Sequence, residues 1–213
     1  MCSANCQYTI AFKPILNGKQ LFLDSAGLYQ VNSNRIVISK LKFYVGALDI
    51  VDHKKGLVKI DSSYHLVDFA NPKSTKFQLD DKEKVLANGL RFELGVDSTT
   101  NVSGAYGGDL DPTLGMYWTW QSGYINFKLE GFYTIENKKK KFEYHLGGYL
   151  NPFETVQEIQ LDKLPSSEIV IVLDIEKFLK SIPTGLPTKI MSPGENAKLL
   201  SELLTPIFSI GNE

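Results

Sequence analysis

The chain has 213 residues, of which 43% are hydrophobic, and this is enough to bury the core of one large domain. Its 23 Lys and Arg residues nearly balance its 24 Asp and Glu residues, so the formal net charge is -1. That balance argues against nucleic acid as a partner, because nucleic-acid-binding proteins carry a strongly basic surface. No apolar run approaches the roughly 18 residues of a membrane helix, so we expect membrane attachment only through a lipid anchor.

The first six residues, MCSANC, contain both cysteines, Cys2 and Cys6. They lack the charged and apolar regions of a signal peptide. Two explanations stay open: a cytoplasmic protein, and an exported one whose signal has been removed and replaced by a start Met. In the second case, Cys2 would match the acylated first residue of a mature lipoprotein. We expect residues 1–7 to be disordered or an artefact of expression.

Apolar and polar residues alternate with a period of two through most of the chain, which is typical of β-strands. The run IVISKLKFYVGALDIV starts at Ile36, and clusters of Gly, Pro, Asn and Asp separate it from the other runs. These lie at 64–69, 90–95, 124–135, 141–146, 155–161 and 168–175. The pattern predicts a single all-β domain over residues 1–213, folded as an antiparallel, Greek-key-like β-sandwich.

Three connecting or helical segments complete the prediction. The charged stretch ENKKKK, residues 136–141, indicates a solvated hairpin connection. DIEKFLKSI, residues 174–182, is a short candidate helix. SPGENAKLLSELLTPIF, residues 192–208, predicts a closing helix with Ser192 as its cap.

The longest stretch without a strand pattern runs from Gly95 to Tyr124 and is rich in Gly, Ser, Asp and Asn. A long loop in a compact domain is often functional. Its acidic and amide side chains offer oxygen ligands for calcium, although their spacing does not match an EF-hand. Turn formation is the favoured interpretation of these residues, which are Asp97, Asn101, Asp109 and Asp111.

This loop ends in MYWTWQSGY, residues 116–124, which holds both tryptophans of the chain. Trp118 and Trp120 share parity, so in an extended segment both would face one pocket. Copper suits imidazole and thioether ligands. Such groups flank this segment at His65, His145, Met116 and Met191.

Plainer interpretations of the same residues remain open. A lone histidine on a strand is more often structural than a ligand, and aromatic residues fill most β cores. Met191 could equally be a core residue at the helix entrance, and His53 lies in a charged, solvated turn. The rival function is a glycan- or peptide-binding module with an aromatic platform formed by Tyr117, Trp118, Trp120 and Tyr124. A hydrolase is disfavoured, because no GxSxG or HExxH motif occurs.

The block GVDSTTNVSGAYGGDLDPTLGMYWTWQSGYINFKLEG and the following FEYHLGGY resemble the MbnP-like copper-binding proteins. The earlier ISKLKFYVGALDIV and YHLVDF are similar to preceding strands of that family, and MSPGENAKLLSELLTPIFSI is similar to its closing helix. The resemblance extends from about Phe12 to Ile210. One departure is Met191, which stands where many relatives have a histidine.

The resemblance implies an extracytoplasmic β-sandwich that binds copper, as Cu(I) or Cu(II), and is not an enzyme. It also implies that the protein is periplasmic, or that it is a lipoprotein of the outer membrane or cell surface. In relatives linked to copper handling, a tryptophan oxidised to kynurenine joins the histidines, and a di-haem peroxidase-like partner performs the oxidation. The matching positions are His65, His145, Trp118 and Trp120. The resemblance does not indicate which tryptophan would be oxidised.

Overall fold

The computed structural model describes residues 6–25, 29–52, 54–81, 87–120, 123–136, 138–162, 164 and 168–211. Strands dominate, and the predicted all-β sandwich class is confirmed. The strands are β1 Cys6–Leu16, β2 Lys19–Gln20, β3 Tyr29–Val31, β4 Asn34–Asp52, β5 Gly56–Asp61, β6 His65–Asp68, β7 Lys76–Asp81, β8 Ala87–Leu94, β9 Tyr117–Trp118, β10 Gly123–Tyr124, β11 Phe127–Ile135, β12 Lys138–Leu146, β13 Gln157–Asp162, β14 Glu168–Asp174, β15 Lys189–Ile190 and β16 Phe208–Ile210. The α-helices are α1 Ser98–Val102, α2 Ile175–Ser181 and α3 Glu195–Glu202.

Two sheets form the sandwich. The smaller one has the order β16-β14-β1-β2, with β7 also paired to β1. The larger one follows the path β13-β8-β4-β11-β12-β15, and β3, β5 and β6 pair with β4 as well. Two pairings, β1 with β14 and β12 with β15, are parallel, so the sandwich is mixed and not purely antiparallel as the sequence predicted. The chain forms these parallel pairs by returning to an existing strand through a long connection.

The large sheet is built on β4. The Tyr44 N–H donates to the Asn126 carbonyl at 3.1 Å, and the Tyr44 carbonyl accepts from the Gly95 N–H at 2.9 Å. The N–H and C=O of one strand residue point to the same side, so β11 and β8 lie end to end along one edge of β4. The strands β3, β6 and β5 occupy its opposite edge. The loop at residues 95–126 therefore leaves and returns to the sheet at a single point.

Aromatic rings from both sheets meet in the core. Phe12 of β1 contacts Phe43 of β4 and Phe92 of β8, with ring centroids 5.3 and 5.9 Å apart. Phe208 of β16 contacts the same two rings at 5.9 and 5.7 Å. All four contacts are edge-to-face, the geometry that aromatic pairs favour. This cluster joins the two sheets.

The ends of the chain differ from the predictions. Residues 1–5 of the predicted disordered segment lie outside the described residues. Cys6 and Gln7, in contrast, belong to β1, because they pair with Asp81 and Asp80 of β7. The prediction was wrong for these two residues, since a short terminal segment shows too little alternation to reveal a pairing partner far along the chain.

The closing helix is shorter than predicted. It spans Glu195–Glu202. The N-cap residue is Gly194, with a φ of 150° and no side-chain cap, and not Ser192 as predicted. A 3-10 turn at Thr205–Ile207 follows, and Phe208 already belongs to a strand. Pro206 explains this early end, because proline has no N–H to donate in a helix.

The predicted hairpin is confirmed, with Ile135 paired to Lys138 across the turn, but its connection is shorter than predicted, because Lys138–Lys141 already belong to β12. The short helix after Asp174 is confirmed too, and the Asp174 carboxylate caps it by accepting from the Lys177 N–H. Within the described residues, no helix has the length and apolar character required to cross a membrane.

We predict that Phe43→Ala lowers the free energy of unfolding by about 3 to 5 kcal/mol, because it removes a fully buried ring and leaves a cavity. Phe22→Ala is the matched control, since Phe22 is 54% exposed, and it should cost about 0.5 kcal/mol or less. Urea unfolding of both variants measures the difference. Equal losses would show that the Phe43 contacts do not hold the sheets together.

Candidate metal centre

The outer face of the large sheet, which points away from the sandwich core, carries charged side chains at every second position. Lys40, Glu130 and Glu143 are cross-strand neighbours on β4, β11 and β12. Lys128 and His145 form the next row of the same face. The residues between them on each strand are apolar and point into the core. Strand alternation alone therefore collects these polar groups on one surface.

His145 is the buried centre of this surface, with 5% of its area exposed. Its Nε2 lies 2.9 Å from Oε1 of Glu130, which is itself 6% exposed. Within the described part of the chain, the ring makes no other hydrogen bond. A carboxylate bound to one ring nitrogen fixes the orientation of an imidazole and leaves the other nitrogen for a metal.

The charges around His145 favour its neutral form. Burial lowers the pKa of His145, and the positive charge of Lys128 adds to this effect, whereas the bond to Glu130 opposes it. Burial raises the pKa of Glu130, but its bonds to His145 and Lys40 outweigh that and lower it. A neutral imidazole is the form that binds metal ions.

The segment 95–126 covers part of this outer face with a second apolar cluster. Its buried members are Tyr44, Leu66, Val96, Leu110, Met116, Trp118, Tyr124 and Ile125. Two buried asparagines anchor the segment. Asn101 accepts from the Tyr124 N–H and donates to the Val96 carbonyl, both at 2.8 Å. Asn126 accepts from the Val96 N–H and donates to Thr155 Oγ1, both at 2.9 Å.

Trp118 lies beside the strand that carries His145. A Cβ atom built on Gly147 would lie 2.8 Å from Cζ3 and 3.1 Å from Cη2 of the Trp118 ring. Gly147 lies two residues beyond His145 and one residue past the end of β12. The absence of a side chain at Gly147 thus lets the indole pack against the end of the strand that carries His145.

The two tryptophans do not share a burial environment, contrary to the sequence prediction. Trp118 is 6% exposed, whereas Trp120 is 65% exposed, although their ring centroids are 6.0 Å apart. The reason is that β9 ends at Trp118 and the chain turns before β10, so the segment is not extended through Trp120. The platform of the rival glycan- or peptide-binding function loses two of its rings as well, because Trp118 and Tyr124 are buried.

The structure does not bring His65 and His145 together. His65 pairs with Val45, an inward-facing residue, and its ring stacks on Phe77 of the other sheet with centroids 4.1 Å apart. Its Nε2 lies 2.9 Å from Oδ2 of Asp61. The two histidines are thus on opposite faces and three strand spacings apart, or about 14 Å. His53 lies outside the described residues.

Of the two candidate thioethers, Met191 directly follows β15, the strand that pairs with β12. The parallel pairs Glu143 with Lys189 and Tyr144 with Ile190 place residue 191 beside His145 if the register continues by one step. Met191 is partly buried. Met116, in contrast, is fully buried in the second cluster, and its carbonyl accepts from the Ile125 N–H.

The four candidate calcium ligands are engaged in hydrogen bonds with backbone N–H groups. The acceptors and their donors are Asp97 with Thr100, Asn101 with Tyr124, Asp109 with Leu66, and Asp111 with Thr113. The bonds of Asp97 and Asp111 are local ones of the kind that the turn interpretation predicts, whereas those of Asn101 and Asp109 reach residues 23 and 43 positions away. Among the described residues, no three His, Cys, Asp or Glu side chains form a metal-binding group. A metal at His145 would need the thioether or a modified indole as a further ligand.

Lys128 and Glu130 were not among the site residues predicted from the sequence. A signal for them was present in NFKLEGF, where they alternate with the apolar Phe127 and Leu129. Charged residues between strongly apolar ones indicate a strand with a polar face. Their partnership with His145 depends on strand register, which the sequence does not reveal.

Comparisons with known proteins agree with this fold. The model of the MbnP family matches residues 5–192, which confirms the family resemblance of the sequence. The fold is similar to that of MbnP from Methylosinus trichosporium, with a TM-score of 0.71 over 98% of this chain and 99% of that chain. Sequence identity is 15%, so this second likeness bears on the fold alone. The comparison with curated proteins gave no match.

We predict that Gly147→Ala displaces the Trp118 ring and costs about 1 to 3 kcal/mol of stability. The new Cβ would lie 2.5 Å from the Tyr124 carbonyl oxygen and 2.8 Å from the indole. Thermal unfolding and a shift of tryptophan emission measure the effect. Gly107→Ala is the control, because no atom lies within 4 Å of the position that its added methyl group would take. An unchanged emission spectrum in Gly147→Ala would contradict the contact.

Proposed function

Because the chain belongs to the MbnP family, we propose that it binds copper and that His145 is its principal ligand. Family membership relates the chain to the copper-linked proteins of methanobactin systems. The proposed role is to hold copper during uptake or handling, and not to catalyse a reaction. The sequence resemblance implied two candidate histidine ligands, His65 and His145. We assign the ligand role to His145.

The observation that carries the proposal is the buried bond between His145 and Glu130. Burying an imidazole and a carboxylate together is costly unless each satisfies the other. The arrangement is the one that metal-binding histidines commonly use to set their tautomer and orientation. The Trp118 ring, which packs at the end of β12, lies on the same outer face as this pair.

We propose Met191 as a second ligand. Its register position supports this role, and its thioether is a soft donor that suits Cu(I). The copper would supply a Lewis-acidic, redox-active centre at the edge of β12, while the chain orients its ligands and restricts access of water. His65 would not take part, because it faces the opposite side of the sheet.

Trp118 is the proposed site of tryptophan oxidation, if this chain undergoes the modification that the resemblance implies. Its ring is buried on the side of His145, whereas Trp120 is mostly in solvent. An intact indole is a poor ligand because its N–H only donates. Opening of its ring to kynurenine would supply an amine and a ketone beside the histidine.

The partner and location proposed for the protein follow from the resemblance. A di-haem peroxidase-like protein would catalyse the oxidation of Trp118 with a peroxide as the oxidant, in the periplasm or at the surface of the outer membrane, where a lipid anchor would hold the chain. Intact mass and peptide mapping of protein produced with such a partner would test this. A mass change outside residues 116–124, or none, would contradict the assignment.

We predict that His145→Ala weakens copper binding by more than about a hundredfold, because it removes a ligand. Glu130→Gln should weaken binding by about ten- to a hundredfold, because it removes the carboxylate that orients the His145 ring. Competition titration with a chromophoric chelator measures both affinities. Circular dichroism and thermal unfolding verify that each variant is folded.

His65→Ala is the matched control for this experiment. It removes the other strand histidine, which lies on the inner face, and should leave copper affinity unchanged. The proposal fails if wild-type protein binds no copper at micromolar concentration. It also fails if His65→Ala weakens binding as much as His145→Ala does.

A further inference from the structure

A cleft opens between the residues that precede β6 and the loop at residues 95–126. Its lining includes Tyr64, Tyr106, Asp109 and Leu110, and its volume is about 440 Å³. Small-molecule sites occupy about 300 to 1,000 Å³. The strand β6 is separated from β12 by β4 and β11, which amounts to three strand spacings or about 14 Å. The cleft is therefore separate from the surface around His145.

Two tyrosine rings line the cleft. The Tyr64 ring rests on the backbone of β4, since a Cβ atom built on Gly46 would lie 2.6 Å from its Cε1 atom. The Tyr64 hydroxyl donates to the Asp97 carboxylate, which fixes the ring from its other end. The Tyr106 side chain is 45% exposed. Aromatic rings attract cations, because the face of a ring is electronegative.

Buried contacts hold the loop side of the cleft in place. The Tyr124 hydroxyl accepts from the Tyr106 N–H and donates to the Leu110 carbonyl, both at 3.0 Å. Leu110 belongs to the second apolar cluster and is buried. The last tyrosine of the MYWTWQSGY segment thus fixes the shape of the cleft. A ligand that enters it needs little ordering of the chain, which favours binding.

Asp109 supplies the charge of the cleft. Its Oδ2 accepts from the Leu66 N–H at 2.9 Å, and this bond holds the carboxylate beside β6. Among the described residues, no other group donates to Asp109, and no Lys, Arg or His lines the cleft. Burial raises the pKa of Tyr44 above its ordinary value, and the negative charges of Asp109 and Asp111 add to this effect. The carboxylate of Asp109 is therefore available to a cation.

We propose that this cleft binds a small organic cation, a protonated amine that carries an apolar body. The ammonium group would donate to Asp109, and the body would pack against Tyr64 and Tyr106. A primary amine fits better than a quaternary ammonium ion, because a carboxylate oxygen accepts hydrogen bonds. The carboxylate gives no such advantage to a neutral ligand and repels an anion. This inference goes beyond the proposed copper-binding function and does not depend on it.

The test compares three probes of similar size at neutral pH: phenethylammonium, the neutral phenethyl alcohol and the anion phenylacetate. Titrations of the full chain, followed by NMR of its backbone amides, give each dissociation constant. Phenethylammonium should bind with a Kd of about 0.1 to 1 mM, since exposed carboxylates and rings each contribute little. The other two probes should bind about tenfold more weakly. The largest chemical-shift changes should fall at residues 63–66 and 106–110.

A fourth probe distinguishes a free amine from the side chain of another protein. Blocked lysine, with its amino and carboxyl ends both converted to amides, carries the same ammonium group on a polypeptide-like body. It should bind more weakly than phenethylammonium, because it lacks the ring that packs against the tyrosines. Tighter binding of blocked lysine would overturn the assignment to a small molecule.

Asp109→Asn removes the charge but keeps an oxygen for the Leu66 N–H, and it should weaken phenethylammonium binding by about fivefold. Tyr106→Leu keeps the backbone bond to Tyr124 and should weaken binding by about threefold. It serves if Asp109→Asn does not fold. Circular dichroism verifies the fold of each variant.

Asp111→Asn is the matched control. Asp111 lies on the same loop and also accepts a backbone N–H, from Thr113, but it does not line the cleft. Its Kd should stay within about twofold of the wild type, because water and salt screen an exposed charge at a distance. Equal weakening in Asp109→Asn and Asp111→Asn overturns the inference, since the general charge of the loop would then be responsible.

Two further results would also overturn it. One is equal binding of phenethylammonium and phenethyl alcohol, and the other is the absence of shift changes in the wild type at about 10 mM phenethylammonium. His145→Ala should leave the phenethylammonium Kd unchanged while it weakens copper binding. The failure of either proposal is therefore recognised independently of the other.

Discussion

The structure depends on the alternation of side chains in β4, β11 and β12. Their inward positions are apolar and pack against the smaller sheet through the phenylalanine cluster. Their outward positions are charged, and a one-residue slip in register would bury these charges in the core. The core therefore fixes the register, and the register places Lys128 opposite His145. In this way, hydrophobic packing on one face determines the chemistry on the other.

The long segment at 95–126 turns this outer face into an enclosed environment. It starts and ends beside Tyr44, where β8 and β11 meet, so its ends need little freedom to close. A buried irregular segment needs hydrogen-bond partners for its backbone groups. The side chains of Asn101 and Asn126 supply them by accepting from the N–H groups of Tyr124 and Val96. The Trp118 ring then lies over the end of β12, and the carbonyl of Gly115 lies over the row that carries Lys128 and His145.

Much of this fold could be predicted from the sequence, because local patterns carry it. Period-two alternation revealed β4, β11 and β12, and the charged hairpin between the last two. The strand β1 was missed, because its pairing with β7 and β14 joins residues far apart in sequence. The same holds for the site. His145 and Trp118 were predicted from residue type and family resemblance. The proximity of Glu130 and Lys128 to His145 depends on strand register, which the sequence does not show. His65 was grouped with His145 by its sequence context, which does not show that the two occupy opposite faces.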